Sequence, residues 1–170
     1  KKAIVTGGAG FIGSNLVDGL LAKGVEVVVI DNLYSGRESN LEHVRDSISF
    51  YEVDIRSNEC DKIFEQHKPD AVFHLAACAG VSYSVQNPQS TNDVNLSGTV
   101  NMLELSKRHQ VKRFVFSSSS SVYGGSEILP TSETVTLNPK SPYALQKKTG
   151  EEYCKLYAEQ YGLEAVALRY

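Results

Sequence analysis

The sequence predicts an α/β fold, a doubly wound parallel sheet with helices on both faces, and three observations carry that prediction. Short apolar runs of strand length alternate with helical patterns along the chain, at Ala3–Thr6, Val25–Ile30, Ser49–Val53, Ala71–Leu75, Arg113–Ser118 and Ala165–Leu168. The first run passes directly into a glycine-rich turn, Thr6-Gly-Gly-Ala-Gly-Phe-Ile-Gly13. No repeat or low-complexity linker interrupts the alternation, so the 170 residues read as one domain. Parallel strands joined by right-handed crossovers then put any ligand beyond the carboxyl ends of the strands.

The turn after the first strand is legible in backbone terms. Gly7, Gly10 and Gly13 recur at three-residue intervals, and Gly8-Ala-Gly10-Phe-Ile-Gly13 is a G-x-G-x-x-G run. Glycines so spaced permit a tight turn, a close approach to a pyrophosphate and close packing of helix on strand. The helix that follows places Ile12, Leu16, Val17, Leu20 and Leu21 on an apolar face, and its first amides and dipole attract an anion. Val25-Glu-Val-Val-Val-Ile30 reads as a buried strand ending at Asp31. Asp31 stands eighteen residues after Gly13, near the roughly 20-residue spacing of an acid that takes the adenosine ribose hydroxyls of NAD. The alternative for Asp31 is a plain polar strand end. A carboxylate there repels the 2′-phosphate of NADP, and Arg37 is the nearby base that could offset it; NAD is the expected cofactor. Asp54 follows the third strand, where it either meets the adenine beside the Ile55 backbone or is a solvated strand-end acid.

Two helix starts are marked by a capping side chain before proline, at Asn87-Pro88 and Ser141-Pro142. The first opens a long helix carrying Val94, Val100, Leu103 and Leu105, and the second a helix carrying Tyr143, Lys147, Tyr153, Leu156 and Tyr157. Both are more apolar than one sheet face requires. Ser119–Lys140, with Pro130 and Pro139, is a loop long enough to be functional.

Tyr143 and Lys147 stand four residues apart, which on a helix puts a phenol and an ammonium on one face. A nearby lysine and a cationic nicotinamide both favour the phenolate, so a lowered Tyr143 pKa is expected. Phe114-Val-Phe-Ser-Ser-Ser-Ser-Ser121 ends a buried strand in five hydroxyls at the sheet's ligand-binding end; some of them would serve only as backbone caps.

Several classes are disfavoured. A net charge of −3 with interspersed bases leaves no footprint for nucleic acid, and no stretch approaches the length of a membrane span. Cys60, Cys78 and Cys154 are odd in number and far apart, which argues against a disulfide framework or zinc site and fits a reducing cytoplasm. His74 has no ligand-spaced partner and reads as a hydrogen-bonded strand-end histidine, while His43, His67 and His109 belong to no constellation; no metal is expected.

Taken together and in this order, T-G-G-A-G-F-I-G, Asp31-Asn32, His74-Leu-Ala-Ala77, Asn95, Ser-Ser-Ser-x-x-Val-Tyr-Gly and Ser-Pro-Tyr-x-x-x-Lys resemble the extended short-chain dehydrogenase/reductase superfamily across the whole chain. Within it the chain is similar to the NAD-dependent nucleotide-sugar epimerases, above all the UDP-sugar 4-epimerases. The resemblance implies a Rossmann domain over 1–170 and a C-terminal substrate domain that this chain lacks. It implies that Tyr143 is the catalytic base, that Lys147 holds the nicotinamide ribose and that Ser119 hydrogen-bonds the sugar hydroxyl being oxidised. The cofactor would lie against Gly7, Gly10, Phe11, Ile12, Gly13, Asp31, Asn32, Asp54, Ile55, Leu75, Ala76, Ala77 and Asn95, with Asn95 supporting the site from its helix and Ser84 near the sugar diphosphate. A UDP-hexose substrate, a transient 4-keto sugar and a homodimer are implied with them.

The related sugar 4,6-dehydratases carry Asp and Glu directly after the catalytic hydroxyl, where this chain has Ser120 and Ser121; hydroxyls do not replace carboxylates in eliminating water. Ala79-Gly-Val-Ser-Tyr-Ser84 is similar to epimerases of UDP-glucuronate, although Ser82 stands where those usually have Arg. Glucose/galactose and the N-acetylated sugars stay open. The second class of function is an NAD-binding module that does not turn sugar over.

Overall fold

The computed structural model describes residues 1–126 and 129–170. Its single sheet has six parallel strands: β1 (Lys2–Thr6), β2 (Glu26–Asp31), β3 (Ile48–Glu52), β4 (Ala71–His74), β5 (Arg113–Ser118) and β6 (Glu164–Arg169), in the order β3-β2-β1-β4-β5-β6. Each expected strand is present to within a residue at either end. The order reverses direction between β1 and β4, so the loops leaving these two strands diverge and leave a crevice.

Connecting these strands are α1 (Phe11–Leu21), a 3₁₀ segment (Glu38–Ser47), α2 (Glu59–His67), α3 (Val81–Gln86), α4 (Pro88–Asn92), a π turn (Asp93–Ser97), α5 (Gly98–Arg108), a 3₁₀ turn (Ser120–Tyr123) and α6 (Pro142–Tyr161). The long helix expected from Pro88 is therefore one helical rod interrupted by a π turn. Ser141 caps α6 as expected, its hydroxyl accepting the Ala144 N–H at 3.1 Å. Asn87 does not cap its helix: its amide instead donates back to the Tyr83 carbonyl at the end of α3, because only one residue separates the two helices.

Alternation along the strands divides the core into two layers. Ile4, Val28, Val72, Phe114 and Phe116 pack with α2, α5 and α6 through Phe64, Leu103 and Tyr157. Val5, Val27 and Val29 pack with α1 and the 3₁₀ segment through Val17 and Leu41. Helices lie on both faces, but unevenly. Register places Val5, Phe73, Val115 and Val166 in one row on the α1 face. Along that row exposure climbs from 0% at Val5 to 41% at Val166, with Leu168 at 40%, so this face is bare over β5 and β6.

Of the expected α1 face, Val17 is buried, while Ile12 is half exposed and turned to the crevice. The loop 119–140 folds back on itself, with the Asn138 amide donating to the Val122 carbonyl at 3.0 Å. Residues 127 and 128 of that loop lie outside the described residues.

Candidate active site

A cavity of about 560 Å³ opens at the carboxyl ends of the strands. Gly7, Gly10, Phe11, Ile12, Gly13, Asp31, Asn32, Asp54, Ile55, Leu75, Ala76, Ala77, Ser119, Tyr143 and Lys147 all line it, so residues spread over 140 positions of chain meet in one place.

Its floor is a backbone cradle. Gly7 has φ +70°, and a Cβ there would stand 2.7 Å from the Ala76 amide nitrogen; a Cβ on Gly13 would stand 2.2 Å from the Gly7 carbonyl oxygen. Both sites require glycine, and the closeness they permit leaves the start of α1 open to the cavity. The amides of Phe11, Ile12 and Gly13, in the first turn of an eleven-residue helix, have no acceptor within it. They can hold an anion without a basic side chain. Asp31 is fixed beside them, its oxygens accepting the Ala9 N–H at 2.9 Å and the Leu33 N–H at 2.8 Å. Asp54 is held by Arg56 through two side-chain bonds of 2.8 Å and by Asn32 at 2.9 Å. The Arg56 bonds are the main cause that lowers its carboxyl to about 2. Arg37 is exposed and does not line the cavity.

At the other end stand the hydroxyls and the Tyr143–Lys147 face of α6. Lys147 is 3% exposed, donates to the Ser117 carbonyl at 2.8 Å and lies 5.8 Å from the centre of the Tyr143 ring. Burial lowers its ammonium to about 8. Burial raises the Tyr143 phenol, and hydrogen bonding with the Ser119 side chain works the other way; of the two causes expected to lower it, Lys147 and a cationic nicotinamide, Lys147 does not offset the burial. The Ser119 hydroxyl accepts the Ser121 N–H at 3.1 Å, which caps the 3₁₀ turn and leaves the hydroxyl proton free to point into the cavity.

Two expected contact residues stand behind the cavity wall. Ser84 is fully buried; its hydroxyl donates to the Val81 carbonyl and accepts the Tyr143 N–H at 3.1 Å, so it steadies the start of α6 and does not face a diphosphate. Asn95 is 1% exposed and touches no cavity surface. It sits in the π turn, clasps the Cys78 amide and carbonyl at 2.7 and 3.0 Å, and donates to Gln146 at 2.8 Å. Its support is thus indirect, tying the loop after β4 to α6. His74 is the buried, hydrogen-bonded histidine expected, between Thr6 at 2.7 Å and Thr99 at 3.0 Å.

The sequence reading missed Tyr34, Tyr83, Cys78, Arg56, Ser117 and Tyr170, all of which line the cavity. Two of them carried a signal: Arg56 is an opposite charge two residues after Asp54, and Ser117 is the first of the five hydroxyls that end β5. Tyr34 and Cys78 arrive through loops, Tyr83 on the short α3 and Tyr170 directly after β6, and no periodicity encodes their convergence. Cys78 is buried, and Tyr34, beside Tyr83 and Cys78, has its phenol raised chiefly by hydrogen bonding with Tyr83. No group of three or more His, Cys, Asp or Glu side chains suited to a metal occurs among the described residues, and none of their helices is long and apolar enough to cross a membrane.

The sequence pattern of the NAD dependent epimerase/dehydratase family matches residues 3–170. The chain belongs to this family. Among curated members it is 42% identical over 168 residues to a putative UDP-glucose 4-epimerase of Methanocaldococcus jannaschii, covering 98% of this chain and 54% of that one. A UDP-glucose 4-epimerase of Thermotoga maritima, solved with UDP-glucose, superposes with a TM-score of 0.94 at 43% identity, over 100% of this chain and 55% of that one. A Thermus thermophilus UDP-glucose 4-epimerase solved with NAD gives a TM-score of 0.93 at 41% identity, again over 100% of this chain and 55% of that one. The chain spans about half the length of the curated relatives it matches.

Proposed function

We infer that this chain is the cofactor-binding and catalytic part of an NAD-dependent UDP-sugar 4-epimerase. The observation that carries the reading is the convergence of Ser119, Tyr143 and Lys147 on the same cavity as the Gly7–Gly13 cradle and Asp31. The residues present fit NAD: the cradle is one that a Cβ would fill, and the α1 amides suit a pyrophosphate. Asp31, beside the cradle, would take the adenosine ribose hydroxyls. Arg56, the basic residue at that end of the cavity, is already committed to Asp54, which disfavours the extra phosphate of NADP.

NAD when bound supplies the hydride acceptor and donor for C4 of the sugar, and a positive charge that favours the Tyr143 phenolate. Tyr143 takes the proton of the 4-hydroxyl and returns it once the ketone has presented its other face. Ser119 donates a hydrogen bond to the same oxygen, and Lys147, held on the Ser117 carbonyl, fixes the ribose and keeps a cation near the phenol. Ser120 and Ser121, which supply no carboxylate, oppose a dehydratase. The groove between α4 and α6, lined by Pro88, Leu96, Pro142 and Leu145, supports a homodimer, and three free cysteines suit a reducing cytoplasm.

The test is the full-length protein with UDP-galactose and UDP-N-acetylglucosamine, following formation of the 4-epimer. Tyr143→Phe is expected to lose about 10²-fold or more of turnover, with NAD affinity nearly unchanged; near-normal turnover removes Tyr143 from its role. Calorimetry is expected to give tighter NAD than NADP binding, and equal affinities would sink the argument from Asp31. Since the chain spans half of its relatives, residues 1–170 alone are expected to bind NAD and turn over poorly.

A further inference from the structure

We propose that Glu151 and Arg169 form a positioning pair that sets the placement of Ser119 against Tyr143. The proposal rests on the epimerase reading for its choice of reacting groups.

Tyr143, Lys147 and Glu151 occupy successive turns of one face of α6. Glu151 accepts the Arg169 fork, with Nε at 2.9 Å on one oxygen and Nη2 at 2.7 Å on the other, and also accepts the Ser118 hydroxyl. The third arm of Arg169, Nη1, donates to the Tyr123 hydroxyl at 3.0 Å, and its guanidinium lies 5.1 Å from the centre of that ring. Ser118 immediately precedes Ser119, and Tyr123 closes the 3₁₀ turn that Ser119 caps. Just past the end of β6, the Tyr170 carbonyl accepts the Ser120 N–H at 2.6 Å. Ser119 is thus flanked on both sides by residues tied to this pair or its neighbour, and the pair is anchored on the helix that bears Tyr143 and Lys147.

Burial makes the arrangement a matter of geometry more than of stability. The Glu151 side chain is 10% exposed, the least exposed carboxylate in any ion pair among the described residues. Ion pairs so far out of water return little net stability, since desolvation offsets their attraction. A bidentate fork does fix two planes relative to each other, here the end of β6 and the middle of α6. The strand end carrying Ser119 hangs between them.

The experiment uses the full-length protein with bound NAD, its Glu151→Gln and Arg169→Lys variants, and Tyr143→Phe as reference. Two quantities are read: kcat and KM for UDP-galactose, and the ultraviolet titration of Tyr143, isolated by subtracting the Tyr143→Phe curve. Displacing a reacting group by a fraction of an ångström to one ångström costs up to about 10²-fold, so Glu151→Gln is expected to lower kcat at least tenfold with KM within about twofold. Arg169→Lys, which keeps the charge and loses the fork, should fall between parent and Glu151→Gln. The Tyr143 titration should move to higher pH as the Ser119 hydroxyl leaves the phenol. A Glu151→Gln kcat within about threefold of the parent, whatever happens to its melting temperature, overturns the proposal. Should the parent itself not turn over, the epimerase reading fails, and an unmoved Tyr143 titration then overturns the positioning role on its own.

Discussion

His74 shows at the scale of one residue how neighbours choose a protonation state. The Thr99 hydroxyl donates to the Asn95 carbonyl at 2.7 Å, so it can only accept from the ring, and Nε2 carries the proton. Nδ1 must then accept from Thr6, whose oxygen also receives the Ala76 N–H. A second ring proton would strand the Thr6 hydroxyl proton, and burial already lowers the pKa from 6.5 to about 3. The unfolded chain binds a proton near 6.5 that the folded chain refuses, so stability is full above that pH and is lost as pH falls toward 3. The slope is at most about 1.4 kcal/mol per pH unit. Urea unfolding at pH 6.5 and 4.5 should show a loss of about 2–3 kcal/mol from this source. His74→Gln should be less stable at neutral pH yet flatter over that window; a variant as steep as the parent would remove His74 as the cause. The role of His74 was visible in the sequence because a lone histidine at an apolar strand end has few other fates. The contrasting fate of Ser84 was not visible. Its hydroxyl is consumed by Val81 and Tyr143, and the Tyr143 contact spans 59 positions of chain.

Among the elements, the π turn at Asp93–Ser97 carries the most consequence. A wider turn within a helix displaces one residue from the regular spacing, and here it delivers Asn95 to the loop after β4. The sequence showed a long apolar helix from Pro88 but no sign of the wider turn, since Val94, Val100, Leu103 and Leu105 fit a regular helix well enough. Replacing Asn95 by Leu keeps the volume and leaves the Cys78 N–H and C=O and the Gln146 carbonyl unpaired. Each lost partner costs about 1–3 kcal/mol, so Asn95→Leu should destabilise by about 3 kcal/mol or more in urea unfolding. NAD affinity should fall with it, because Cys78 and the alanines before it line the cavity. A loss under about 1 kcal/mol would mean that water takes over these bonds.

For the molecule as a whole, association is the property to test. Leu145 is 55% exposed at the groove between α4 and α6, and Leu156, further along α6, is 44% exposed. Apolar surface left on paired helices favours burial against a second copy across a two-fold axis. Light scattering of the full-length protein at micromolar concentration should give a dimer, and Leu145→Glu should shift it toward monomer. A parent that is monomeric throughout would refute the pairing of these faces.

By itself the sequence determined the strands, their order along the chain, the glycine cradle, Asp31 and the Tyr143–Lys147 face, because these depend on period, spacing and the conformational freedom of glycine, all properties of neighbouring residues. Only the tertiary structure decided which hydroxyls reach the cavity and which stay behind it, how deeply the Tyr143 phenol is buried, and that Glu151 and Arg169 hold the strand end bearing Ser119. Those outcomes depend on burial and on contacts between elements brought together by the sheet, and neither burial nor such contacts has a period that a sequence can display.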